Sequence, residues 1–215
     1  MTKLKAVLFD LDGVIRDSRE VIFPAYEHTL NTHVGKTPSR ELLVPYVHHE
    51  DAVHNAFASE VPQKAFVTTY HNKIEELRPN MKLYDDANTV LKALKDTGYK
   101  LGLVSHATTA TEFLTSHGLI GYFSAILDGN QDIERKPSPA PVLQALDMLK
   151  VAPEDAVMIG DLPSDIKSAA GAGLRISVGI THGFGNEKIL KEAGAGYIID
   201  SLIEIIGVIK EIEAS

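Results

Sequence analysis

The feature that most constrains the fold is a series of short apolar segments separated by segments with helical periodicity. The apolar segments are residues 6–9, 101–105, 125–127, 156–159, 175–178 and 197–199. Short, almost wholly apolar strands are typical of parallel sheets, whose strands are buried on both faces. Between most of these segments, apolar residues recur at helical spacing, as at Val90, Leu91 and Leu94. The alternation predicts an α/β fold with a doubly wound parallel sheet.

One long segment, residues 18–78, breaks this alternation. It contains no strand pattern, and Phe66, Tyr70, Ile74 and Leu77 recur at the spacing of a helix face. We therefore predict an all-helical insert after the first strand. On this interpretation residues 1–17 and 79–215 form the core domain, and residues 18–78 form a smaller cap domain.

Charge and composition exclude several classes of function. The 215 residues carry a net charge of −8, which disfavours a nucleic-acid surface because phosphate backbones bind Lys- and Arg-rich faces. The absence of cysteine excludes disulfides, thiolate catalysis and cysteine-based zinc sites. No stretch approaches the roughly 20 apolar residues that a membrane helix needs. We expect a cytoplasmic protein, monomeric or homodimeric, without nucleic-acid or membrane partners.

Two carboxylates follow the first predicted strand. Asp10 and Asp12 are separated by one residue, and Gly13 allows a sharp turn directly after them. Mg²⁺ is commonly bound by one or two carboxylates together with water and substrate phosphate. Paired carboxylates can also divide the work of nucleophile and proton carrier. The structural alternative is a plain strand–turn in which aspartate serves only as a turn former.

A second pair of carboxylates, Asp161 and Asp165, follows the apolar segment 156–159. Because the carboxyl ends of parallel strands share one edge of the sheet, these residues could bind the same cation as Asp10. The alternative is local: Asp161 would cap the next helix, and Asp165 would interact favourably with the helix dipole.

Three further residues are candidates for contact with a phosphate group. Ser105 ends the second predicted strand, where its hydroxyl and the next helix N-terminus could bind a phosphate oxygen. His106 follows it and could contact substrate or remain solvated. Lys136 precedes a predicted helix and could neutralise phosphate. The alternatives are a simple serine N-cap and a solvated lysine.

Together these segments resemble the phosphatase branch of the haloacid dehalogenase-like hydrolase superfamily. Its motifs occur here in order as DLDGV at residues 10–14, the strand-end Ser105, Lys136, and GDLPSD at residues 160–165. The Asp17–Ser18 pair and GITHGFGN at residues 179–186 are similar to the phosphoglycolate phosphatase-like subgroup. The resemblance spans essentially the whole chain.

The resemblance implies a Rossmannoid core with a small helical cap, and it implies a role for each motif residue. Asp10 would be the nucleophile that forms an aspartyl-phosphate, and Asp12 would protonate the leaving group and then activate water. Mg²⁺ would be bound by Asp10, the backbone carbonyl of Asp12 and Asp161, with Asp165 in support. Ser105 and Lys136 would bind the transferring phosphoryl group.

The expected function is therefore Mg²⁺-dependent hydrolysis of a small phosphorylated metabolite, with phosphoglycolate as the leading example. Pyrophosphate, nucleotides and sugar phosphates remain open as substrates. A phosphomutase is less favoured because residues 19–21 read Arg-Glu-Val and lack the histidine expected near this position. A non-catalytic phosphate-binding module would not need Asp12 as a separate proton carrier.

Overall fold

The computed structural model describes residues 3–214, which divide into two compact units. One unit consists of the described residues up to Arg16 and from Leu83 onward, and the other is Asp17–Lys82. The larger unit contains a six-stranded sheet, and the smaller unit is built from helices. The predicted α/β class is confirmed.

In the described part of the chain, six strands follow the predicted apolar segments closely, and two further strands of two residues each lie outside those segments. They are β1 (Ala6–Phe9), β2 (Arg16–Asp17), β3 (Lys82–Leu83), β4 (Lys100–Val104), β5 (Phe123–Leu127), β6 (Ala156–Gly160), β7 (Ile176–Ile180) and β8 (Tyr197–Ile199). Six of them form one parallel sheet in the order β5-β4-β1-β6-β7-β8. The short strands β2 and β3 pair separately, where the chain passes between the two units.

The helices fill the intervals between the strands. The smaller unit contains α1 (Arg19–Val34), α2 (Arg40–Leu43), α3 (Glu50–Phe57) and α4 (Gln63–Leu77). The larger unit contains α5 (Ala87–Asp96), α6 (Ala110–Ser116), α7 (Ala140–Leu149), α8 (Pro163–Gly171), α9 (Glu187–Glu192) and α10 (Ile205–Ala214). Among the described residues, no helix combines the length and apolarity that crossing a membrane requires.

The central strand β1 is buried on both faces. All four of its residues, Ala6–Phe9, are fully shielded from solvent, as expected for a parallel strand covered by helices on each side. Helix α7 packs on β4 and β5, and α8 packs on β6 and β7. Each fully buried valine, leucine or phenylalanine side chain stabilises the fold by about 1.5–3 kcal/mol relative to its exposed state.

The strand order brings three distant parts of the sequence to one edge of the sheet. Strand β1 lies between β4 and β6, and Phe9 is in register with both Leu103 and Ile159. From β1 the chain proceeds to β4 and β5 on one side, then crosses to β6, β7 and β8 on the other. Ligands of such sheets bind where this direction changes, at the carboxyl ends of the strands. The residues that follow β1, β4 and β6 are therefore the candidates for a site.

The smaller unit has a core of its own. Helices α1 and α4 pack against each other, and the rings of Tyr26 and Tyr70 stack with their centroids 4.3 Å apart. Phe66 and Tyr70, two residues of the predicted apolar face, are buried on α4. Leu43 and Val53, from α2 and α3, are also fully buried.

Candidate active site

Two strand ends, the first turn of a helix and one loop bring together four of the residues predicted from sequence. Asp10 follows β1 directly, Asp161 follows β6, and Asp165 lies in the first turn of α8. Lys136 comes from the segment before α7. All four side chains are almost fully buried, with exposed fractions of 0–4%. Because buried charges are costly unless they are paired or bind a metal, their mutual contacts determine what the site can do.

Lys136 is the central cation of this cluster. Its Nζ donates to Asp10 Oδ1 at 2.7 Å, to Asp165 Oδ1 at 2.6 Å and to the backbone oxygen of Val104 at 2.9 Å. An ammonium group has three N–H donors, so every donor of Lys136 has an acceptor. Burial alone would lower the pKa of Lys136, but the two neighbouring carboxylates outweigh it and raise that pKa. The lysine is thus held in its charged form beside Asp10.

Three carboxylates lie close enough to share one cation. Oxygens of Asp10, Asp161 and Asp165 are within 4.8 Å of one another. Burial raises the pKa of Asp10 to about 7, against the opposing effect of Lys136, and repulsion from Asp165 adds to the rise. Burial, followed by repulsion from Asp165 and Asp10, also raises the pKa of Asp161 well above its usual range. Lys136 offsets the repulsion among these three carboxylates only in part.

The two oxygens of Asp161 differ in their contacts. Its Oδ2 accepts the backbone N–H of Phe184 at 2.7 Å, whereas its Oδ1 is buried and has no hydrogen-bond partner among the residues that the structure describes. A Cβ atom on Gly13 or Gly183 would come within 2.1 or 2.2 Å of Asp161 Oδ2, so the backbone approaches the carboxylate closely on two sides. An unpartnered carboxylate oxygen within an acidic cluster fits a hard divalent cation, which prefers oxygen ligands.

The two local alternatives for Asp161 and Ser105 are both wrong. The residue that caps α8 is Leu162, and Asp165 Oδ2 accepts the N–H of Leu162 at 3.0 Å, so Asp161 is not an N-cap. Helix α6 begins at Ala110, well beyond Ser105, which therefore does not cap it. The Ser105 hydroxyl instead accepts the N–H of Ala107 at 3.1 Å. Ser105 remains at the end of β4, next to the sheet edge.

His106 is linked to the lysine loop. Its Nε2 accepts the backbone N–H of Lys136 at 3.0 Å, which joins the segment after β4 to the segment before α7. His106 and Ser105 also line a small pocket with Gly129, Gln131 and Arg135. The contact with Lys136 shows that one ring nitrogen of His106 supports the position of this loop.

The side chain of Asp12 is paired with Arg16, a residue that was not among the predicted site residues. Arg16 Nε donates to Asp12 Oδ1 and Arg16 Nη2 donates to Asp12 Oδ2, both at 2.7 Å. Both residues are 3% exposed. The Asp12 side chain is not one of the three carboxylates that could share a cation. The sequence carries only a weak signal for this pair, because an arginine that follows two apolar residues, here Val14 and Ile15, is ordinarily solvated.

Comparison with known proteins identifies the family. The family model described as haloacid dehalogenase-like hydrolase matches residues 7–178, which include every site residue predicted from the sequence. The chain belongs to this family. The expectations of a haloacid dehalogenase-like hydrolase and of a phosphatase are confirmed.

The chain is similar to two proteins in both sequence and length, and to a third protein in fold. The "Putative pyrophosphatase PpaX" of Caldanaerobacter subterraneus subsp. tengcongensis is 33% identical over 214 residues, covering 97% of this chain and 96% of that protein. A "predicted phosphatase" from Clostridium acetobutylicum is 27% identical, with a TM-score of 0.79 and coverage of 99% and 100% of the two chains. A "predicted phosphoglycolate phosphatase" from Haemophilus somnus 129pt shares the fold, with a TM-score of 0.80, 24% identity, and coverage of 97% and 99%.

Proposed function

We propose that this hydrolase is a Mg²⁺-dependent phosphatase that acts on small phosphate esters or anhydrides through an aspartyl-phosphate on Asp10. The observation that carries the proposal is the buried group of Asp10, Asp161 and Asp165, with Lys136 bonded to Asp10 and Asp165. A carboxylate nucleophile needs neighbouring positive charge to approach an anionic phosphoryl group. Lys136 supplies one such charge at 2.7 Å from Asp10 Oδ1.

The proposed roles follow from the chemistry of each side chain. Asp10 attacks phosphorus, while Lys136 offsets the negative charge that develops on the transferring group. Asp12 donates a proton to the leaving oxygen and then activates the water that hydrolyses the aspartyl-phosphate. Ser105 donates its hydroxyl to a phosphoryl oxygen, and His106 supports the Lys136 loop through the bond to its backbone.

Asp10, Asp161 and Asp165 would bind the Mg²⁺, together with the backbone carbonyl of Asp12. The cation, when bound, offsets the charge of the phosphoryl oxygens and orients them for in-line attack. The unpartnered Oδ1 of Asp161 and the raised pKa values of Asp10 and Asp161 support this ligand set. The backbone N–H of Phe184 donates to Asp161 and so fixes the orientation of this carboxylate for metal binding.

For the substrate, we propose a compact phosphorylated metabolite. The relative named as a pyrophosphatase supports an anhydride substrate, and phosphoglycolate remains the leading ester. The core residues handle only the phosphoryl group, so the remainder of the substrate must be recognised elsewhere. We assign that recognition to the helical insert, residues 18–78, which the chain enters shortly after Asp12. Nucleotides and sugar phosphates are the other candidates within the same reaction class.

A substrate panel tests this division of labour. Lys136→Ala should lower kcat/KM for every substrate by about 10²-fold or more, because the charge it removes acts on the phosphoryl group itself. Alanine substitutions at exposed polar positions of α1 and α4 should instead change the ranking of substrates. The measurement is phosphate release from pyrophosphate, phosphoglycolate, a nucleotide and a sugar phosphate.

Two results would count against the proposal. If the intact protein with Mg²⁺ released phosphate from none of these compounds, the assigned reaction would be wrong. If substitutions in the helical insert lowered kcat/KM by the same factor for every substrate, the insert would not select the substrate. The exposed Arg175→Met variant serves as a control that should leave both rates and ranking unchanged.

A further inference from the structure

The buried pair of Asp12 and Arg16 is the feature that the proposed function leaves unexplained. The guanidinium bonds both carboxylate oxygens at 2.7 Å, in the planar two-point geometry that arginine and carboxylate adopt at their strongest. Arg16 Nη1 also donates to Thr109 Oγ1 at 3.3 Å, and its Cζ lies 4.9 Å from the centre of the Phe113 ring. These contacts fix the arginine from two sides.

This geometry restricts what Asp12 can reach. Both of its oxygens face the guanidinium, so the carboxyl group must rotate out of the pair before it can direct an O–H at a leaving group. Rotation would leave the guanidinium of Arg16, which is 3% exposed, without its carboxylate partner, and burying an unpaired charge is strongly unfavourable. Each paired oxygen nevertheless keeps a second lone pair, which can accept a hydrogen bond from water and so orient it.

We propose that Arg16 is a positioning residue that sets the leaving-group preference by holding both oxygens of Asp12, so that phosphoanhydrides are hydrolysed in preference to alkyl phosphate esters. The inference rests on the proposed function, because it presupposes phosphoryl transfer to Asp10. It names the preferred substrate class of that same site.

The two half-reactions make different demands on Asp12. In the first, the bond from Asp10 to phosphorus forms while the bond from phosphorus to the leaving oxygen breaks, and the electron pair stays on that oxygen. Phosphate leaving from pyrophosphate is a stable anion and needs no proton, whereas an alkoxide must take one from Asp12 as it leaves. In the second, water oriented by Asp12 attacks phosphorus, the bond to Asp10 breaks, and the protons of the water leave with the released phosphate. Only the first step with an alkyl ester requires Asp12 to leave Arg16.

The test compares substrates within one protein preparation, because a ratio of rates is independent of the folded fraction. For the Mg²⁺-loaded protein, kcat/KM is measured for pyrophosphate, for aryl phosphates of graded leaving-group acidity and for phosphoglycolate. The wild type should favour the anhydride and the most acidic aryl leaving groups. Arg16→Met frees Asp12 and should lower the ratio of anhydride to alkyl ester by about 10-fold or more, since proton transfer contributes about 10²–10⁴-fold. The change should appear in kcat rather than in KM.

Two further variants keep the test decisive. Arg16→Lys retains a buried cation but loses the planar two-point geometry, so it should shift the ratio in the same direction by a smaller factor, even if the methionine variant folds poorly. In an Asp12→Asn background, Arg16→Lys should no longer change the ratio, because the arginine acts through Asp12. The Arg175→Met control should match the wild type.

The possible outcomes distinguish failure of this inference from failure of the proposed phosphatase function. Wild-type turnover of pyrophosphate or the esters, with a ratio unaffected by Arg16→Met and Arg16→Lys, would overturn the role of Arg16 alone. A wild-type preference for the alkyl ester, or an effect of Arg16→Lys that persists without Asp12, would do the same. Complete absence of phosphate release by the wild type would overturn both the inference and the proposed function.

Discussion

Replacing Asp10 with asparagine should lower kcat by at least about 10⁴-fold for every substrate, because the amide cannot act as the nucleophile. The substitution keeps the size of the side chain, and Lys136 retains its bond to Asp165 at 2.6 Å. It also removes one of three mutually repelling buried carboxylates. We therefore expect a folded, inactive protein, as measured by phosphate release alongside circular dichroism and thermal unfolding.

Asp128→Asn is the matched control for this prediction. Asp128 is also a buried aspartate directly after a strand of the same sheet, β5, but its Oδ2 accepts from Thr111 and its Oδ1 from the backbone of Asn130. Its substitution should leave most of the turnover intact. Near-normal turnover by Asp10→Asn, with the sequence verified and deamidation excluded, would contradict the assigned nucleophile.

Removal of divalent cations should abolish turnover, and added Mg²⁺ should restore it. The physical reason is the repulsion among Asp10, Asp161 and Asp165, which Lys136 offsets only in part. Phosphoryl transfer relies on charge neutralisation, so a site left with three carboxylates and one lysine repels an anionic substrate. The measurement is phosphate release after exhaustive chelation and dialysis, followed by titration with Mg²⁺. Undiminished activity in the presence of chelator would contradict the assignment of a divalent-cation site to these three carboxylates.

Removal of the divalent cation should also make the free energy of unfolding depend on pH in a defined direction. Without metal the folded pKa of Asp10 is raised from 3.8 to about 7, so the folded state binds more protons than the unfolded state in this interval. The free energy of unfolding should therefore fall as the pH rises through it, and Asp161 contributes with the same sign. A bound cation relieves this cost, so Mg²⁺ should raise Tm more at pH about 8 than at pH about 5. An equal rise at both values would contradict this account of the cluster.

Much of the fold was predictable because the strands of the central sheet are buried on both faces. A segment such as Ala6–Phe9 has no polar side to alternate with, and the sequence shows an unbroken apolar run. The site followed from the same rule, since Asp10 and Asp161 each come directly after such a run, and β1 and β6 are neighbours in the sheet. Spacing along the chain alone does not reveal this proximity, but parallel topology implies it.

The contacts of individual side chains were not predictable in the same way. Lys136 lies 126 residues from Asp10 in sequence, and its three bonds depend on the path of the loop before α7. Arg16 was not predicted as a site residue because an arginine after an apolar pair is ordinarily solvated. Here it is buried and paired with Asp12. Local pattern distinguishes buried from exposed apolar residues well, but it does not show which charges are paired.

The most direct test of the account is to identify the phosphorylated residue itself. Wild-type protein turning over pyrophosphate or phosphoglycolate with Mg²⁺ is quenched in acid, and any acyl phosphate is reduced with borohydride, which converts aspartyl-phosphate to homoserine. Peptide mass spectrometry should find homoserine at position 10, and the Asp12→Asn variant should accumulate more of it because Asp12 activates the water that hydrolyses the intermediate. Active protein that yields no trapped intermediate in either form, or a label at any residue other than Asp10, would contradict the covalent mechanism.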